Sequence, residues 1–161
     1  MRRISNRHCN FIERLESRTL LSVAEPNNTF ATAVPVGGGK AFGGTATFID
    51  AVSDTDTIDI YKLPTDAAGN LSLTLRTNLA GARLTLVHDA NRNGIEDRGE
   101  QISTLATTIS IPGTIAIALK QSSPIENYFI KVSRILGNTA YSLNIVYDTA
   151  GNTGATARLL Q

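Results

Sequence analysis

Five oxygen-bearing side chains and one glycine fall at fixed spacing in Asp89-Ala90-Asn91-Arg92-Asn93-Gly94-Ile95-Glu96-Asp97-Arg98-Gly99-Glu100. Asp89, Asn91, Asn93, Asp97 and Glu100 take positions 1, 3, 5, 9 and 12 of this stretch, and Gly94 takes position 6. A Ca²⁺ ion wants about six to eight oxygens at roughly 2.3–2.6 Å, and a short loop supplies them only by curling around the ion. Asp89, Asn91 and Asn93 would each give a side-chain oxygen, Ile95 its carbonyl, and Asp97 an oxygen directly or through water. Glu100 would close the site with two oxygens. Gly94 has no Cβ and tolerates the positive φ of the sharp turn between them. The pattern D-x-[DN]-x-[DN]-G-x5-E is matched throughout. The same residues also suit a solvated hairpin without a metal, because Asn-Gly and Asp are ordinary turn formers.

The flanks decide what such a loop can do. Upstream, Ala82–His88 alternates like a strand, with Leu84 and Leu86 on one face. Downstream, Gln101–Ile111 is rich in Thr and Ile and again reads as strand. The loop is therefore expected to join two strands, and a helix–loop–helix sensor is not expected.

The 161-residue chain is 42% hydrophobic and 18% charged, which suits one packed domain plus extra segments. Gly, Thr, Ser and Asn are frequent and Trp is absent, which favours an all-β domain. Charge is uneven: residues 1–22 hold five Arg against two Glu, leaving ten basic and twelve acidic groups for residues 23–161. That body lacks the basic field of a nucleic-acid binder. Cys9 is the one cysteine, so no internal disulfide framework exists. No apolar run approaches the roughly 18 residues of a transmembrane helix. The two histidines, His8 and His88, fit no zinc or nucleophile motif, so no catalytic residues are expected.

Along the chain, residues 1–23 start basic but lack the apolar run of a secretory signal. Phe11, Ile12, Leu15 and Thr19 allow a short amphipathic helix, and a disordered start is the other reading. Asn28 or Thr29 could cap one helical turn before Ala31 and Ala33. Val36–Gly44, with five glycines in nine residues, must be loop or edge. Strands are expected near Gly44–Phe48, over Ile58–Leu63 with Asp59, Tyr61 and Leu63 on one face, and over Leu71–Arg76 with its three leucines on one face. Thr107–Ile111 and Thr114–Leu119 flank Pro112-Gly113 as an expected hairpin, and Asn127–Ile135 and Thr139–Tyr147 flank Gly137-Asn138 as another. About eight short strands with regular turns predict a β-sandwich of jelly-roll type. The expected organisation is an N-terminal segment over 1–23, a sandwich over 24–148 and a flexible tail over 149–161.

Two stretches carry resemblances. Phe11-Ile12-Glu13-Arg14-Leu15-Glu16-Ser17-Arg18-Thr19-Leu20-Leu21-Ser22 resembles the N-terminal segment of many planctomycete surface proteins, with its Leu-Glu-Pro-Arg-x-Leu-Leu core; Ser17 stands in place of the Pro. That resemblance implies sorting or export to the cell envelope. Glu25–Ala33, Asp56–Leu63, Leu84–Asp89, Asn127–Val132 and Ala140–Ile145 together resemble the bacterial pre-peptidase C-terminal domain, in family order over residues 25–147. The family is a non-catalytic β-sandwich attached to secreted hydrolases or surface proteins. Some members, including the collagen-binding domains of clostridial collagenases, bind matrix and calcium. The resemblance implies a second Ca²⁺ cluster at Glu25, Asn27, Asn28, Asp56 and Asp59, with Tyr61 beside them. Relatives carry a further acidic residue two before the Glu, where this chain has Val23, so the cluster would have one carboxylate fewer. Without the resemblance, the same residues read as a turn and an acidic strand start.

The expected function is thus a calcium-stabilised module, extracellular or at the cell envelope, that binds a surface protein or polysaccharide. A structural envelope protein without a discrete ligand, or an accessory partner of a secreted peptidase, stands beside it.

Overall fold

The computed structural model describes residues 25–108, 111–119 and 126–149. Nine strands are described: β1 (Val34–Pro35), β2 (Gly44–Val52), β3 (Ile58–Thr65), β4 (Gly69–Thr77), β5 (Ala82–His88), β6 (Gln101–Ala106), β7 (Gly113–Leu119), β8 (Glu126–Arg134) and β9 (Thr139–Thr149). They form a five-stranded sheet, ordered β1-β3-β8-β5-β6, and a four-stranded sheet, ordered β2-β9-β4-β7. All neighbours are antiparallel except the two-residue β1, which runs parallel to β3. The result is an all-β sandwich of jelly-roll type.

Alternation builds the core. Tyr61 and Leu63 of β3, Leu84 and Leu86 of β5, and Ile130 and Val132 of β8 point inward from the larger sheet. Leu71, Leu73 and Leu75 of β4 meet them with Leu143, Ile145 and Tyr147 of β9. Each fully buried leucine contributes on the order of 2 kcal/mol through lost apolar surface. The opposite faces differ. On the outside of the smaller sheet, Thr47 and Thr114 are exposed, with Thr74 and Asn144 half-buried among them. The outside of the larger sheet carries a second apolar cluster, Phe30, Ile60, Val87 and Phe129. Phe30 comes from the segment before β1 and stacks on Phe129 with ring centroids 3.9 Å apart. That contact seals residues 25–33 over the sheet.

Several expected pairings are corrected. Consecutive strands β8 and β9 do not form a hairpin: β8 lies between β3 and β5, and β9 lies between β2 and β4 in the other sheet. Gly137, at φ 67°, turns the chain across the sandwich rather than back along one sheet. Nor does Pro112-Gly113 join a hairpin. β6 ends at Ala106, Thr108 and Ile111 make an isolated bridge, and β7 pairs with β4. A Cβ on Gly113 would sit 2.6 Å from Leu105 and Thr107 side chains, so a glycine is needed where the chain leaves one sheet for the other. Residues 29–32 make a single turn, with the Thr32 amide donating to the Thr29 carbonyl at 3.1 Å, and do not continue as helix. β9 runs to Thr149, one residue past the expected end of the sandwich. The segment 1–23 and residues 150–161 lie outside the described residues.

Candidate metal centre

The loop from Asp89 to Glu100 joins β5 to β6, as the strand-like flanks require. Its two ends are pinned, because the His88 amide donates to the Glu100 carbonyl at 2.9 Å. Asp89 and Glu100 are buried, while Ile95 at the middle is exposed. Asp89 accepts from the amides of Asn93 at 3.1 Å and Gly94 at 3.0 Å. Glu100 accepts from the amides of Ala90 at 3.1 Å and Asp97 at 2.9 Å. The side-chain amides of Asn91 and Asn93 both donate to Asp97 Oδ2 at 2.7 Å. Gly94 has φ 74°, the left-handed turn expected of position 6. The five oxygen-bearing side chains therefore converge on the loop interior, but they meet through hydrogen bonds. The amides of Asn91 and Asn93 would have to rotate to offer oxygen to a cation.

The second cluster is assembled differently. Residues 25–28 run beside β3, and the Ile60 amide donates to the Asn27 carbonyl at 3.0 Å. This places Glu25, Asn27 and Asn28 opposite Asp56 and Asp59. Oxygens of Glu25, Asp56 and Asp59 lie within 4.8 Å of one another, and among the described residues no other three such carboxylates do. Asn27 and Asp59 are fully buried. The side-chain oxygen of Asn27 faces only acceptors: Asn28 Oδ1, Asp59 Oδ1 and Glu25 Oε2. That of Asn28 faces Asn27 Oδ1, the Ile58 carbonyl and Asp56 Oδ1. Rotating one amide would turn such contacts into hydrogen bonds of 2.7–3.2 Å. Rotating both would set their two nitrogens against each other. Six oxygens thus meet around these two amides, a donor set that suits a hard cation such as Ca²⁺.

Electrostatics agrees with this crowding. Burial raises the Asp59 carboxyl to about 7, the charges of Asp50, Asp56 and Glu25 add to the rise, and a hydrogen bond from Tyr141 offsets part of it. Glu25 is also raised, by burial and then by Asp56. A bound cation would reverse this penalty, since it favours the ionised carboxylates.

Two contributors were missed from the sequence. Asp50, on β2 of the smaller sheet, points inward; its Oδ1 accepts from the Ala51 amide at 2.9 Å, and its Oδ2 is buried without a hydrogen bond. Burial raises its pKa, and Asp56 adds to this. The signal was the alternation Ala46, Phe48, Asp50, Val52, which carries β2 past the expected end at Phe48. Tyr141 donates to Asp59 Oδ2 at 2.6 Å, and its hydroxyl lies 2.6 Å from that of Tyr61. Burial pushes both phenols upward, so they remain protonated donors.

Among solved structures, the chain is similar to the pre-peptidase C-terminal domain of a collagenase from Bacillus anthracis. The TM-score is 0.50 at 16% identity, covering 70% of this chain and 93% of that one. It is also similar, more loosely, to PliG, a periplasmic inhibitor of g-type lysozyme from Aeromonas hydrophila, at TM-score 0.46 and 16% identity over 72% of this chain and 96% of that one. The first likeness shows a fold like that of the pre-peptidase C-terminal domain; the second is too loose to carry an argument. No family model matches the sequence, and no curated protein matches it.

Proposed function

We propose that this chain is a non-catalytic, calcium-stabilised β-sandwich module of the pre-peptidase C-terminal family, working outside the cell or at its envelope and binding a surface or matrix polymer. The observation that carries the metal reading is the set of oxygens facing one another around Asn27 and Asn28. Glu25, Asn27, Asn28, Asp56 and Asp59 would hold one Ca²⁺. Asp89, Asn91, Asn93, Ile95, Asp97 and Glu100 would hold a second, at the cost of exchanging the loop's internal hydrogen bonds for metal contacts. Millimolar external calcium would fill even weak sites of this kind and stabilise the fold by mass action. Residues 1–23 would act as the sorting segment. No helix among the described residues is long and apolar enough to cross a membrane.

Calorimetric titration of the full chain with calcium tests the reading. Uptake is expected, with Asp56→Asn removing one event and Asp89→Ala the other. A chain that takes up no calcium overturns it. A reporter carrying residues 1–23 should reach the envelope, and a cytoplasmic reporter would remove the sorting role.

One observation favours a purely structural module over a polysaccharide binder. Every described Phe and Tyr is buried or half-buried. The described surface therefore offers no exposed aromatic ring on which a sugar could stack.

A further inference from the structure

We infer that Lys131 is a positioning residue for the loop from Asp89 to Glu100, acting through Glu96; this rests on the reading of that loop as a calcium site. Glu96 takes position 8 of the twelve, between Ile95 and Asp97, and has no ligand role in the pattern. Its carboxylate turns away from the loop interior. Oε1 accepts from Gln101 Nε2 at 2.6 Å, and Oε2 accepts from Lys131 Nζ. Lys131 is on β8, paired in register with Thr85 of β5. The tether thus passes over the loop's own parent strand to the next strand of the sheet.

This tether has a different character from the loop's other bonds. The hydrogen bonds to the side chains of Asp89, Asp97 and Glu100 described above are internal to the loop, and they position its atoms only relative to one another. Glu96–Lys131 fixes the loop to the sheet. The Lys131 and Glu96 side chains are 16% and 23% exposed, so solvent screens the pair less than a surface ion pair. Holding residue 96 restrains the backbone on both sides, where the Ile95 carbonyl and the Asp97 carboxylate must meet the ion. Ordering paid before the metal arrives is not charged against binding. A lone ammonium near a divalent ion would weaken affinity, but Glu96 cancels that charge. Positioning is then the effect that remains.

The test follows calcium titration of the full chain by NMR at the Gly94 amide, which donates to Asp89 Oδ2 and so reports this loop alone. The double variant Glu96→Gln with Lys131→Met removes the ion pair without changing net charge. Its Kd at Gly94 should rise about tenfold, in the range seen for lost outer-shell partners of metal ligands. The response at Asn27 should stay unchanged, and Lys131→Arg alone should keep the wild-type Kd. A double variant with wild-type Kd at Gly94 overturns the positioning role while leaving the loop site standing. A wild-type Gly94 amide that ignores calcium overturns both. A lower melting temperature with an unchanged Kd would mark the pair as merely structural and also overturns the role.

Discussion

Tyr141 on β9 donates its hydroxyl hydrogen to Asp59 on β3 at 2.6 Å, a bond that runs from one sheet to the other at the edge of the acidic cluster. Tyr61, on β3 beside Asp59, brings its own hydroxyl within 2.6 Å of the same phenol. The buried carboxylate is thus held by the far wall of the sandwich, while its other oxygen faces Asn27.

Tyr141→Phe removes that bond with little change in volume. It should cost about 1–3 kcal/mol of unfolding free energy, the range for leaving a buried polar group unsatisfied. Urea denaturation in the presence of chelator measures it. Calcium uptake should survive, because the Asp59 oxygen that faces the cluster is untouched.

The pH dependence follows from Asp59. Its ordinary value is 3.8 and its folded value is about 7. A raised carboxyl gives its full contribution below the unfolded pKa and loses it as pH rises through the folded pKa. The metal-free protein should therefore melt at progressively lower temperature between about pH 4 and pH 7. Millimolar calcium, which binds the ionised form, should flatten or reverse that slope. Asp59→Asn should remove most of it, leaving the smaller share of Glu25 and Asp50, whose carboxyls are also raised. Differential scanning calorimetry with chelator or calcium reads all three outcomes.

Phe30→Ala would leave the outer face of Phe129 bare and uncover Ile60 and Val87. A loss of about 3 kcal/mol is expected, the low end for deleting a packed aromatic. Phe30 also anchors the segment that carries Asn27 and Asn28. Calcium affinity at the Glu25 cluster should fall as well, while the Gly94 amide should titrate as before.

Glu100→Ala strips the acceptor from the Ala90 and Asp97 amides. About 1–3 kcal/mol should be lost even without metal. The loop should become the first site of cleavage in limited proteolysis, mapped by mass spectrometry to residues 90–99. An uncut loop would show that the remaining bonds to Asp89 and Asp97 suffice to hold it.

What the sequence revealed, and what it hid, divides along a physical line. Side-chain period tells which face of a strand is buried, so Leu71, Leu73 and Leu75, or Tyr128, Ile130 and Val132, are readable at once. It does not tell which strand lies alongside. Gly137-Asn138 and Pro112-Gly113 are turn residues whether the chain doubles back or crosses to the other sheet, so both expected hairpins failed. The same limit applied to the cluster. Glu25 to Asn28, Asp56 and Asp59 were visible through a resemblance because they occupy short, ordered stretches. Asp50 and Tyr141 reach the site from the opposite sheet, and Tyr141 is 82 residues from the carboxylate it holds. Glu96 was hidden for another reason: a loop pattern marks its ligands and leaves the residue between them unread.

One connection differs from all the rest. Of the described strands, β5 and β6 are the one consecutive pair that hydrogen-bond to each other; elsewhere the chain changes sheets at each step. Pairing between distant strands must first close long loops, which slows the search for the native state. The Asp89–Glu100 turn is therefore the one place where neighbouring strands can zip together locally. Closure there is expected early in folding, and a cation that favours it should accelerate refolding, read by stopped-flow with calcium or chelator, as well as stabilise the finished protein.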